Sequence, residues 1–422
     1  YLNFLQTNNH NFFRLWTWEQ ARWTVETSDN NYWFSPMPYR RTGPGTALDG
    51  QAKYDLTKFN QAYFDRMRSR IIAARDRGIY VSIMLFDGWS IEPLKGGSSS
   101  GQNPWEGHPF NKSNNINSIN GDPNNDNNGK ETQTLAVAAV TNLQKAYIAK
   151  IIDTVHDLDN VLYEISNESA GTSTAWQYAM INYIHQYEAS KSYELHPVGM
   201  TYQYPDGSNA DLNSSPADWI SPKTPNDILG DPPAVSANTA KVLIPDTDHI
   251  CGVCGAGVPE FAWKALTRGY NVLYMDVYDG EGYGVGANGY NPNDITFINA
   301  RKNLGYARSY ADRVNLATAL PSTTICSTTF CLANTTAGSP KYLVYAPNGG
   351  TFTVNLSANP GVEFMMEWFN PATGQLQFKG KITGSGNSTQ FTTPFGGSSV
   401  LYLYPYQNVN ANHFYLPAAP KT

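Results

Sequence analysis

Val161-Leu162-Tyr163-Glu164-Ile165-Ser166-Asn167-Glu168 is the stretch that decides the fold. A nearly unbroken apolar run ends in two polar residues, and a turn at residues 157–160 stands directly before it. A strand apolar on both faces needs cover on both sides, as in a parallel sheet flanked by helices. Upstream, Val140, Leu143, Tyr147, Ile148, Ile151 and Ile152 share one helical face within residues 135–155. Phe59, Tyr63, Phe64, Met67, Ile71 and Ile72 repeat that spacing until Gly78 closes the helix, and residues 79–86 (IYVSIMLF) follow as a buried strand. Residues 12–16 (FFRLW) supply a strand before these, and residues 197–202, 242–245, 271–277 and 314–319 supply strands after them.

Strands alternating with helices predict an α/β fold built on a parallel sheet. Seven strands are visible where a (β/α)8 TIM barrel has eight. Residues 1–9 read as a helix, so the first barrel strand is expected upstream of Tyr1; an open seven-stranded sheet is the alternative. Beyond about residue 325 the helical period vanishes. Short strands at 342–346, 351–356, 364–369, 374–382, 390–393 and 400–404 alternate with Gly- and Asn-rich turns, which predicts a small all-β sandwich. The expected organisation is a barrel over 1–325, a β-sandwich domain over 326–406 and an extended tail over 407–422. A Gly-, Ser- and Asn-rich insertion at 92–131 would rise from the C-terminal face of the barrel, with Trp105, His108 and Phe110 as a possible substrate wall or as plain loop.

Composition narrows the function. Of 422 residues only 15% are charged while 13% are aromatic, which excludes a disordered chain. A net charge of -6 argues against a nucleic-acid partner, and the longest apolar stretches fall far short of a membrane span. Four cysteines sit as two local pairs, Cys251/Cys254 and Cys326/Cys331, in a chain rich in Asn, Ser, Thr and Gly. This suits a secreted protein with local disulfides, the Cys326–Cys331 bridge being the firmer expectation. An exported chain would have shed its leader before Tyr1.

An Asn beside a carboxylic acid at a strand end suits glycoside hydrolysis: Asn167 can bond a sugar hydroxyl while Glu168 protonates the leaving oxygen. Asp246-Thr247-Asp248-His249 forms a second polar cluster at a strand end, where its side chains can bind sugar hydroxyls or supply a base or nucleophile. Arg14, Trp16, Asp87, Trp89, Tyr202, Tyr204 and Tyr278 stand at or just past other strand ends. The aromatic ones offer flat apolar faces to sugar rings, and Arg14 has the alternative of pairing with a carboxylate inside the barrel. With His108, these complete the candidate substrate contacts; no metal and no cofactor is expected. Gly284-Val285-Gly286-Ala287-Asn288-Gly289 matches a dinucleotide fingerprint by letter only, since no helix opens there. Asp122, Asn124 and Asp126 are spaced like a calcium loop, but Asn127 stands where such a loop needs Gly.

The chain resembles a clan-A glycoside hydrolase barrel, cellulase-like or apiosidase-like, with the Asn167-Glu168 pair ending its fourth strand. Tyr342-Leu343-Val344-Tyr345, Glu367-Trp368-Phe369-Asn370-Pro371 and residues 395–402 (FGGSSVLY) resemble the collagen-binding-type β-sandwich that follows such barrels. The resemblance implies a carbohydrate substrate, an acid/base at the end of strand four and a nucleophile at the end of strand seven. These positions fall on Glu168 and, counting one strand before Tyr1, on Asp276, where the clan usually has Glu. A carboxyl separation near 5–5.5 Å would mean retention and about 6.5–9.5 Å inversion; retention is expected. The rival expectation is a non-catalytic carbohydrate-binding or structural protein on the same barrel.

Overall fold

A computed structural model of the chain describes residues 1–24, 31–92, 103–223, 235, 241–248, 255–278 and 291–406. The chain divides into two compact units, Asn11–Pro222 and Tyr1–His10 with Lys223–Thr422.

In the first unit the strands Phe12–Leu15, Tyr80–Asp87, Val161–Asn167, Val198–Thr201 and Trp219–Ser221 lie side by side in that order, all parallel. They make a parallel half-barrel sheet of the kind the apolar runs predict. Seven of the eight residues in Tyr80–Asp87 are buried, as a strand covered on both faces requires. Helices Gln61–Arg75, Ala138–Val155 and Thr174–Lys191 turn Phe64, Met67 and Ile71, then Ile148, Ile151 and Ile152, then Trp176, Met180 and Ile184 inward. Gly78 ends the first of these with φ +68°, while the N–H of Ile79 reaches back to the carbonyl of Ala74.

Two features of this unit were not legible in the sequence. The Trp219–Ser221 strand is only three residues long. The hairpin of Tyr39–Thr46 with Ala52–Phe59 packs Tyr39, Tyr54 and Leu56 against Trp105 and Phe110, forming a satellite core. The insertion is therefore folded where it is described, and its asparagines do the folding. Asn114 Nδ2 donates to the carbonyls of Glu106 and His108, and Asn115 Nδ2 to those of Pro109, Asn111 and Ile119. Gly129 packs on the Trp105 ring so closely that a Cβ there would stand 2.3 Å from Cζ3. Asp122 turns its carboxylate onto the N–H groups of Asp126 and Asn127 and closes its own loop.

In the second unit Val242–Leu243 continues to Asp246, which bridges Leu273 in parallel, with Asn271 and Leu273 N–H groups bonding to Leu243 and Pro245 carbonyls. The expected strand at 314–319 is absent. Val314 instead ends the helix Ile295–Val314, Asn315 turns left-handed at φ 66°, and Leu316 is exposed. A short apolar run at the end of a buried helix has the same look as a strand.

The C-terminal region is all β. Six antiparallel strands run in the order Leu320–Ser322, Cys331–Asn334, Lys341–Ala346, Ser399–Pro405, Glu363–Asn370, Gln375–Thr383, and Thr351–Asn355 pairs separately with Ser388–Thr392. Leu320–Ser322 joins this sheet as its edge, just upstream of the expected boundary at 326. Phe352, Trp368 and Phe391 fill one side of the large sheet; on its other side Phe369 and Tyr402 meet Trp263 and Tyr310 of the helices Val258–Thr267 and Ile295–Val314. Arg313 grips the buried Glu367 through two 2.7 Å bonds at that seam.

The expected Cys326–Cys331 disulfide is not formed. Both residues are buried free thiols in contact with each other, and Cys326 Sγ also lies 3.1 Å from Thr328 Oγ1. Cys251, Cys254, residues 284–289 and the tail at 407–422 lie outside the described residues. Among the described residues no helix is long and apolar enough to cross a membrane.

Candidate active site

Two neighbouring parallel strands build the site. Asp87 ends one and Asn167 ends the other, directly in register. Asn167 Nδ2 donates to Asp87 Oδ1 at 3.1 Å, and Ser90 Oγ donates to Asp87 Oδ2 at 2.7 Å. Asp87 is fully buried, and burial, helped by the charge of Glu19, pushes its pKa up to about 7 against the opposing pull of these donors. The Asn167 amide is thereby fixed, its carbonyl left as the end that can meet a ligand.

Glu168 follows at once with φ 42°, a left-handed backbone that non-glycine residues seldom adopt. This twist ends the strand and lifts the carboxyl out of it. The Trp89 indole, carried on the turn Gly88–Ser90, donates Nε1–H to Glu168 Oε2 at 2.5 Å. Glu168 is half-buried. A carboxyl lifted past a strand end and oriented by an indole donor is placed as a general acid/base has to be.

Glu19, which no sequence pattern had singled out, organises the rest. Its Oε1 accepts the N–H of Asp87 at 2.9 Å, and its Oε2 lies 3.3 Å from His108 Nε2. His108 Nδ1 accepts the N–H of Phe110 at 3.0 Å, so its proton sits on Nε2 toward Glu19. Only the position of Glu19 three residues after Trp16, past the strand, could have suggested it.

The other expected residues divide. Arg14 takes the structural option: its Nε donates to the buried Glu164 at 2.8 Å, and Ser82 Oγ joins the same oxygen at 3.3 Å. Trp105 and Phe110 belong to the satellite core, not to a substrate wall. Tyr202 is half-buried and commits its hydroxyl to the carbonyl of Gly207 at 2.7 Å. Trp16 is exposed and stacked on Trp18 at 5.8 Å between centroids.

In the second unit Asp276 is held by Arg301 through contacts of 2.6–3.0 Å on both carboxylate oxygens, with 9% of its side chain exposed. Tyr278 packs edge-on to Tyr1 at 5.0 Å. Asp246 is buried and its Oδ1 accepts the N–H of Asp248 at 2.9 Å, which leaves Asp248 the more open of the two. His249 lies outside the described residues. Among the described residues no group of three His, Cys, Asp or Glu side chains is placed to hold a metal.

Known proteins match this architecture. Residues 9–203 match the model of a family described as "Domain of unknown function (DUF6298)", and residues 328–400 match "Putative collagen-binding domain of a collagenase". No curated protein matches the chain in sequence. A solved structure titled "Glycoside hydrolase" is similar at 15% identity with a TM-score of 0.58, covering 96% of this chain and 88% of its own. A glycoside hydrolase family 5 structure from Bacteroides vulgatus ATCC 8482 is similar at 16% identity with a TM-score of 0.57, covering 96% of this chain and 84% of its own. The chain therefore resembles clan-A glycoside hydrolases in fold, and its C-terminal all-β region matches the model of a collagen-binding-type domain.

Proposed function

We propose that this protein is a glycoside hydrolase that cleaves O-glycosidic bonds of a poly- or oligosaccharide outside the cell, with retention of configuration. The observation that carries the reading is Glu168 itself, raised from a buried strand on a left-handed residue, gripped by Trp89 and flanked by an immobilised Asn167. Glu168 donates its proton to the glycosidic oxygen as the bond to the anomeric carbon breaks. A second carboxylate attacks that carbon, and water then releases the sugar with Glu168 acting as base. Asn167 bonds a sugar hydroxyl next to the reacting carbon. The fold likeness and the low charge of an Asn- and Ser-rich chain agree with this reading.

Strand order bears on the second carboxylate. The sequence points to Asp276, by a count that omits Trp219–Ser221. With that strand included, the third strand after the one bearing Asn167 is Val242–Leu243, leading to Asp246 and Asp248, and the Asn271 segment is the fourth. Asp276 is also clamped on both oxygens by Arg301. Both points favour Asp248 as nucleophile, with Asp246 holding its backbone and Asp276 in an ion pair. A panel of aryl glycosides and polysaccharides tests the reading: polysaccharide turnover lost in Glu168→Gln supports it, and binding without turnover by the wild type rejects it for a purely binding role.

A further inference from the structure

A cavity of about 310 Å³ opens beside the strand Phe12–Leu15, away from the Glu168 carboxyl in its lining residues. One wall is aromatic. Trp16 stacks on Trp18 at 5.8 Å and Trp18 on Phe34 at 5.5 Å, each pair within 15° of parallel, while Trp16 and Trp33 remain 43% and 51% exposed. Flat, rigid rings of this kind present an apolar face at little entropic cost. The volume is at the small end of ligand pockets, roughly 300–1,000 Å³.

The other wall is cationic. Arg66 and Arg70 stand one turn apart on the helix Gln61–Arg75 and both line the cavity. Arg66 Nη1 donates to the carbonyl of Ser35 at 2.8 Å, which ties it to the segment carrying Phe34. Like charges four apart on a helix repel, and burial followed by the charge of Arg66 lowers the pKa of Arg70. Among the described residues no carboxylate lines the cavity, and neither guanidinium forms an ion pair. Two arginines one helical turn apart in a cavity also lined by aromatic rings call for a ligand that has both a ring face and an anionic edge.

We infer that this cavity binds a uronic-acid residue of an acidic glycan, the pyranose against Trp16 and its carboxylate on Arg66 and Arg70. A planar carboxylate fits the guanidinium fork through two parallel hydrogen bonds, which a neutral hydroxymethyl group cannot copy. The inference rests on the glycosidase reading only for its biological setting: it assigns the substrate class as a uronate-bearing glycan.

Binding of galacturonate, mannuronate and glucuronate trisaccharides, each against its own methyl ester, tests this by calorimetry and by Trp fluorescence. At least one free acid should bind about tenfold more tightly than its ester, the size of one charge-assisted hydrogen bond. Arg66→Gln and Arg70→Gln, both exposed and so tolerant of change, should each remove that difference. Trp16→Ala should weaken acid and ester alike. Equal binding of acid and ester, binding of none of the three, or unchanged contrast in both Arg variants overturns the inference; so does a preference confined to a sulfated galactotriose run alongside. The contrast is read equally well in Glu168→Gln. A protein that shows it yet hydrolyses no glycoside keeps this site and loses the glycosidase assignment.

Discussion

Gly88 lies backbone to backbone with Glu168: a Cβ at position 88 would stand 2.3 Å from the Glu168 carbonyl oxygen and 2.8 Å from the nitrogen of Ser169. The turn that carries Trp89 thus presses directly on the residue whose carboxyl it holds. Gly88→Ala must push the two segments apart. It should cost about 1–3 kcal/mol of stability, as overpacking does. Because a displacement near 1 Å can cost about a hundredfold in rate, turnover should fall by a similar factor. Urea melts and kcat measured on the same preparation separate the two effects.

Trp89→Phe keeps the ring and removes the N–H that meets Glu168 Oε2. Donation to a carboxylate favours its ionised form. Without it the carboxyl should hold its proton to higher pH, so the basic limb of the kcat/KM profile moves upward. A limb that stays in place would mean that the indole does not act on the titrating group.

Asp87 carries a pH signature of its own. Its folded pKa, about 7, lies above that of an unfolded aspartate, so the native state binds the extra proton between roughly pH 4 and 7. In that window stability falls as pH rises, by at most about 1.4 kcal/mol per unit from this group. Asp87→Asn resembles the protonated form and cannot ionise. The stability of the variant relative to wild type should therefore improve steadily from pH 4 to 7 and then level off, in denaturant melts at matched ionic strength.

The sequence-level expectations held where a long periodic segment met a distinct end signal. The helices at Gln61–Arg75 and Ala138–Val155 and the strand Val161–Asn167 are such cases, each within a few residues of its expected bounds. Trp219–Ser221 escaped notice because three residues cannot display a period. Counting it moves the Val242–Leu243 segment one place along the strand order. The insertion read as formless because its core is held by buried Asn side chains, which apolar spacing cannot reveal. The place of Glu168 just past a strand end was legible from the Asn-Glu pair, but Glu19 was not, since its contacts join segments distant in sequence.

Arg14 and Glu164 form an ion pair inside the sheet, with 10% and 0% of their side chains exposed. Removing one partner leaves the other charge buried, which costs about 3–5 kcal/mol. Glu164→Gln and Arg14→Met should each destabilise by an amount of that order. The double variant should lose clearly less than the sum, because neither charge remains. Additive losses would show that the pair does not act as a unit, and would return Arg14 to the group of candidate ligand contacts.

The chemistry itself is separated by three variants and two leaving groups. Glu168→Gln removes the proton donor and keeps its shape. A general acid contributes roughly 10²–10⁴-fold, so natural glycans with poor leaving groups should suffer most. An activated aryl glycoside, whose leaving oxygen needs little protonation, should lose less in its first step. A nucleophile variant behaves differently, since no leaving group replaces a missing attacker: Asp248→Asn should abolish turnover of both substrates. Asp276→Asn frees Arg301, which otherwise makes a two-oxygen ion pair. It should lower stability first and leave measurable turnover in the folded fraction. Full inactivation by Asp276→Asn, with Asp248→Asn still active and both proteins folded by circular dichroism, would move the nucleophile to the Asn271 segment. The role of Glu168 would stand in either case, because the leaving-group test reads the acid alone.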